Sequence, residues 1–182
     1  RSVKAMGTQL LAKGLRLCVT LLAAEHLRAD TLVPAGASWR YLDTGSDPGP
    51  AWMTVGFDDS GWLSGRAQLG YGDGDEATVV RYGANANDKY ITTYFRHTFD
   101  GSNRLAYADL TLSLLRDDGA VVYLNGREIF RSNMPAGAIS YRTLASTSIG
   151  RSDEVTLYAA TLAANHLVTG PHVLGGRDPQ GA

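Results

Sequence analysis

Hydrophobic and polar positions alternate along much of this chain with a period of two, the spacing that sends successive side chains to opposite faces of a strand. Trp39-Arg40-Tyr41-Leu42-Asp43 and Leu110-Thr111-Leu112-Ser113-Leu114 both show it. The run from Tyr90 to Phe99 is β-branched and aromatic almost throughout, which predicts the strongest strand. In Leu114 to Phe130, two apolar runs are broken by Asp118-Gly119 and Asn125-Gly126, dipeptides suited to two-residue hairpin turns. That pattern predicts a three-strand antiparallel meander. Shorter strands are predicted at Thr31 to Val33 ahead of Pro34, at Ile139 to Tyr141, and at Val155 to Tyr158. Helical spacing is confined to a turn at Leu162 to Leu167 and to a capped turn ahead of Trp62, where Asp58, Asp59 and Ser60 offer side-chain oxygens. Asp47-Pro48-Gly49-Pro50 is turn chemistry. The fold class is all-β: two antiparallel sheets packed as a β-sandwich.

Four ordered blocks carry a resemblance. Arg116-Asp117-Asp118-Gly119-Ala120-Val121-Val122-Tyr123-Leu124-Asn125-Gly126-Arg127-Glu128 is similar to the signature of galactose-binding-domain-like jelly rolls. Phe57-Asp58-Asp59-Ser60-Gly61-Trp62 and Ala67-Gln68-Leu69-Gly70-Tyr71-Gly72 resemble that family's early segment. Tyr94-Phe95-Arg96-His97-Thr98-Phe99 resembles the strand that follows. The similarity runs from about Thr31 to Pro171 and implies a module that accompanies secreted bacterial glycoside hydrolases and metallophosphoesterases. It also implies that Trp62 is buried at a structural corner. The chain departs from the family at its end. Where a long apolar last strand is expected, Gly175-Gly176-Arg177-Asp178-Pro179-Gln180-Gly181-Ala182 offers glycine and proline, which central strands disfavour. The expectation is therefore a module over 30–174, an irregular tail over 175–182, and an open sheet edge. Such an edge invites pairing with a neighbouring catalytic domain or a second copy.

Length and composition narrow the class. At 182 residues, the chain suits one domain with a sizeable core. Its 21 glycines and low charged content fit a turn-rich β-protein rather than a helical bundle. A net charge of -1 gives no electrostatic reason to expect nucleic acid or an anionic membrane as partner. The single cysteine, Cys18, cannot form an internal disulfide. Residues 1–29 read in two ways. Lys13 and Arg16 precede the apolar run Leu17 to Ala24, which resembles a secretory signal with Ala29 ahead of a cleavage site and places the protein outside the cytoplasm, secreted, periplasmic or at the cell surface. Glu25, His26 and Arg28 break the small, neutral pattern of such a site, and the alternative is an amphipathic N-terminal helix packed on the domain. The run is too short to span a bilayer.

Candidate chemistry points to binding before catalysis. His26, His97, His166 and His172 form no zinc-binding spacing, and neither a nucleophile elbow nor a phosphate-cradling loop is present. Asp58, Asp59, Asp117 and Asp118 come as adjacent pairs, whose side chains leave a strand on opposite faces, unlike the converging carboxylates of glycosidases. Carbohydrate sites instead combine aromatic faces with hydrogen-bonding groups on loops. Trp52, Tyr71, Tyr82 and Tyr90 supply the first, and Arg81, Asn85, Asn87 and Asp88 the second. The glycine-rich loop bearing Asp73, Asp75 and Glu76 offers oxygens of the kind calcium takes, in a structural role. The expected function is a non-catalytic accessory module that binds carbohydrate. Two alternatives stand beside it: a structural spacer supporting an adjacent hydrolase, and a small glycosidase or phosphoesterase using the acidic loop.

Overall fold

The computed structural model describes residues 30–72, 74–102, 105, 107–149 and 156–179. The reading of residues 1–29 as a signal or helix lies outside them. Among the described residues ten strands occur: β1 (Ser38–Leu42), β2 (Leu63–Arg66), β3 (Leu69–Gly70), β4 (Thr78–Val79), β5 (Thr92–Asp100), β6 (Asp109–Leu114), β7 (Ala120–Leu124), β8 (Arg127–Ser132), β9 (Tyr158–Ala163) and β10 (Pro171–Pro179). Six of them form one sheet in the order β2-β1-β5-β10-β7-β8, all neighbours antiparallel. β6 and β9 form a second antiparallel pair, and β3 and β4 a short parallel ribbon. The fold is the all-β sandwich expected. Short 3-10 turns at Pro50–Met53 and Ala164–His166 are the helical elements among the described residues.

One of the expected turns forms, and three other places along the chain differ from expectation. Asn125-Gly126 does turn β7 into β8, with φ of 51° and 84°, the left-handed pair that a two-residue hairpin requires. Asp118-Gly119 does not close a hairpin. β6 pairs with β9 rather than β7, so the chain crosses between sheets there. The buried Arg116 guanidinium donates to the carbonyls of Asp117 and Asp118, and the Asp118 carboxylate accepts the Ile149 N–H. The crossing is thus tied down by side chains, with no ladder to hold it. Thr31 to Val33 and Ile139 to Tyr141 form no strand.

The largest correction concerns the tail. Gly175 to Pro179, expected to be irregular, belongs to β10, which is central: it pairs with β5 from Pro171↔Asp100 to Pro179↔Thr92 and with β7 from Leu174↔Leu124 to Arg177↔Val121. The edge at this position is therefore closed. Gly175 is explained by packing. A Cβ there would lie 2.8 Å from Trp52 Cζ3, so the indole occupies the space that any other side chain would need.

Trp52 belongs to the core with Trp62 and Tyr94, flanked by Leu42, Met53, Phe57, Tyr123 and Tyr141. Trp62 is buried, as the resemblance implied. Residues 50–62 close over the sheet through Arg96 of β5. Its buried guanidinium donates from Nε to Asp59 Oδ2 at 2.8 Å and from Nη1 to the carbonyls of Trp52 and Thr54, with the Phe57 ring 5.1 Å away. Asp58 accepts the Ser60 N–H in a tight turn instead of capping a helix.

Candidate functional site

The short parallel ribbon sets up the candidate site. Leu69 pairs with Thr78 and Gly70 with Val79, and the Val80 N–H continues the pairing onto the Gly70 carbonyl at 2.9 Å. Both strands leave the ribbon in the same direction, so the residues that follow them, Tyr71 and Tyr82, emerge together. Their rings lie 4.9 Å apart, tilted by 50°. Tyr82 is 36% exposed and Tyr71 half-buried.

From Tyr82 the chain makes a small hairpin. The Tyr90 N–H returns to the Tyr82 carbonyl at 2.8 Å, and Asn85 and Asp88 form a bridge at the tip. The Asn85 side chain accepts the Asn87 N–H, so its carboxamide oxygen serves the turn. Asn87 and Asp88 are exposed there. Tyr90 is half-buried. Its ring presses on Gly45, where a Cβ would come within 2.4 Å and φ is +68°, and it lies beside Gly83. Tyr90 is thus a strut between the hairpin and the loop after β1, with glycine required beneath it by both space and backbone angle.

Arg81 is held at the base of the hairpin by Asp43, just past the end of β1. The Asp43 carboxylate accepts the Arg81 backbone N–H at 2.8 Å, Nε at 3.2 Å and Nη2 at 2.9 Å. Asp43 is 2% exposed in its side chain and Arg81 64%, so the carboxylate is sunk in the protein while the guanidinium stands in solvent. The bidentate pairing fixes the guanidinium plane. It also keeps the Arg81 pKa above its ordinary value, through the hydrogen bond to Asp43 and then that carboxylate's charge.

One residue that sequence reasoning passed over completes the cluster. Lys89 Nζ stands 4.8 Å from the Tyr71 ring centroid and 5.8 Å from that of Tyr82, within cation–π range of both. The signal was available in its place beside Tyr90, opposite Tyr82 across a hairpin. It required the β3–β4 pairing to become legible.

The structure divides the expected site residues. Tyr71, Arg81, Tyr82, Asn85, Asn87, Asp88 and Tyr90 share the ribbon and its hairpin. Trp52 does not belong with them. It is 4% exposed, edge-on to Tyr94 and Tyr123 with centroids 5.0 and 5.7 Å away, and stacked with Trp62. Of the acidic loop, Asp73 lies outside the described residues. Glu76 Oε2 accepts the Gly74 N–H at 3.0 Å, closing its own loop. Among the described residues no three His, Cys, Asp or Glu side chains converge as a metal site would require. Three of the four carboxylates weighed for catalysis have structural partners: Asp59 on Arg96, Asp58 on Ser60 and Asp118 on Ile149. Among the described residues no helix is long and apolar enough to cross a membrane.

No family model matches the chain. Over 174 residues it is 27% identical to an alpha-L-rhamnosidase of Streptomyces avermitilis, an alignment covering 88% of this chain and 16% of that enzyme. Among solved structures it is similar to a calcium-binding mutant of Bacteroides uniformis beta-glucuronidase 2, with a TM-score of 0.50, 18% identity and coverage of 81% of this chain and 14% of that one. It is similar in the same degree to a beta-glucuronidase from glycoside hydrolase family 2, with a TM-score of 0.50, 15% identity and coverage of 79% and 13%. The chain therefore spans less than a quarter of the proteins it resembles, and its fold recurs as one part of large glycoside hydrolases.

Proposed function

We propose that this chain is a non-catalytic carbohydrate-binding module of the galactose-binding jelly-roll type, carried outside the cytoplasm beside a glycoside-hydrolase domain. The observation that carries this reading is the Tyr71–Tyr82 pair, which presents aromatic surface on an exposed loop. Aromatic rings stack on the apolar faces of sugar rings while nearby polar groups fix hydroxyls. Here Arg81, Asn87 and Asp88 provide such groups on the same hairpin. A rigid sandwich that positions loop residues is the usual way such surfaces are built. Similarity to parts of a rhamnosidase and of beta-glucuronidases supports the carbohydrate context. A structural calcium ion on Asp73, Asp75 and Glu76 is part of the proposal, and would brace the loop that begins at Tyr71.

The test is a glycan array probed with the 182-residue protein, its Tyr82→Ala variant, and the protein in excess chelator. Glycan signals that fall at least tenfold in Tyr82→Ala support the reading, and loss in chelator adds the ion to it. Signals unchanged by Tyr82→Ala would move the site elsewhere. An array with no signal in any condition leaves the spacer role as the function.

A further inference from the structure

The two tyrosine rings are not bare: the Lys89 ammonium lies over both of them. A sugar that stacks here must move that cation from the rings or make use of it. Among the described residues Lys89 has no ion pair, in contrast to Arg81, which Asp43 neutralises. The neighbouring carboxylates do not change this. Glu76 is turned onto the Gly74 N–H, and Asp88, although adjacent in sequence, is not within ion-pair distance. An aromatic pair, an ammonium on top of it with no ion pair among the described residues, and a guanidinium fixed in plane thus occupy one hairpin base.

On that geometry, and resting on the proposed carbohydrate site, we infer that the ligand class is acidic saccharides, with Lys89 as the residue that selects the carboxylate. A neutral sugar displaces the ammonium from the rings and offers it only uncharged hydroxyl acceptors, no better than water, for the lost cation–π contact. A uronate gives the displaced ammonium a carboxylate partner while its ring takes the aromatic face. The contact is exposed, so the selectivity is modest and salt-dependent. Nη1 of Arg81, the guanidinium nitrogen that Asp43 leaves free, is a second donor for the same carboxylate or for a ring hydroxyl.

Isothermal titration with galacturonate and glucuronate oligosaccharides, each compared with its methyl ester, separates charge from shape. The acids are expected to bind at least threefold tighter than their esters at low salt. The preference should shrink as salt rises, and Lys89→Met should abolish it while leaving ester affinity equal or improved. Equal affinity for acid and ester, with both lost in Tyr82→Ala, would overturn the inference and leave the sugar site standing. A preference that survives in Lys89→Met would remove Lys89 from the role. Binding of neither form would overturn the inference and, together with a silent array, the site itself.

Discussion

The cluster of Trp52, Trp62 and Tyr94 and the cluster of Tyr71, Tyr82 and Lys89 are made from the same chemistry, aromatic rings beside a cation. They do opposite things. In the first cluster the cation, Arg96, is buried and every ring packs on another. Its guanidinium is satisfied by Asp59 and two carbonyls. In the second the cation stands in solvent over two rings, one of them more than a third exposed. The difference lies in what the backbone delivers. Residues 50–62 fold back over a six-stranded sheet that has a glycine waiting under the indole, whereas Tyr71 and Tyr82 leave a two-residue ribbon at its open end. Aromatic content is therefore no guide to a binding surface until the layer beneath it is known.

The largest effect available is at the closed cluster. Trp52→Ala removes the indole from Gly175, Tyr94 and Tyr123 and leaves a cavity that a sheet cannot collapse to fill. The expected loss is about 3–5 kcal/mol, read from the urea midpoint by circular dichroism. A loss below about 1 kcal/mol, the ordinary scale of a single substitution, would mean that the corner is peripheral and would erase the contrast.

How much of this was legible beforehand follows the same division. Alternation along Leu110 to Leu114 and the β-branched run of β5 made the strands visible, and Asn125-Gly126 marked its hairpin because a two-residue loop demands left-handed angles. β10 was hidden by its glycines. They weaken a strand as a local rule, yet Gly175 sits there because a tryptophan more than a hundred positions earlier fills its side-chain space. Trp52 was misread for the same reason, since its partners are distant in sequence. Asp59 looked like generic turn chemistry until Arg96 came within 2.8 Å. At the candidate site the individual tyrosines were legible and their pairing was not. β3 and β4 are two residues each, too short to leave a pattern, and Lys89 gains meaning only through them.

An intermediate effect sharpens the contrast by titration. Burial pushes the Tyr94 phenol up to about 12 from its ordinary 10, against the opposing pull of Arg177. Below pH 10 the phenol is neutral in both folded and unfolded chains, and its contribution is fully present. Between about pH 10 and 12 the unfolded chain releases the proton while the folded protein holds it, so stability falls with rising pH across that window. Tyr123 is shifted in the same direction, also by burial. Urea midpoints measured from pH 9 to 12 are expected to drop more steeply for the wild type than for Tyr94→Phe. Parallel curves would show that the phenol is open to water.

The smallest effect is the most telling for the open cluster. Tyr82 is partly solvated, its backbone bond to Tyr90 survives truncation, and its ring touches only Tyr71 and Lys89 among the contacts described. Tyr82→Ala should therefore change stability by no more than about 0.5 kcal/mol, the usual range for a surface position. Freed from one of its two rings, Lys89 loses little, because a cation–π contact in solvent contributes only about 0.5–1 kcal/mol. The same urea experiment used for Trp52→Ala measures it. A near-silent result alongside a tenfold loss of glycan signal separates a surface that binds from a core that holds. A destabilisation of about 2 kcal/mol or more, the scale of burying a large side chain, would instead show Tyr82 to be a second core residue, and the two clusters would then differ in position only.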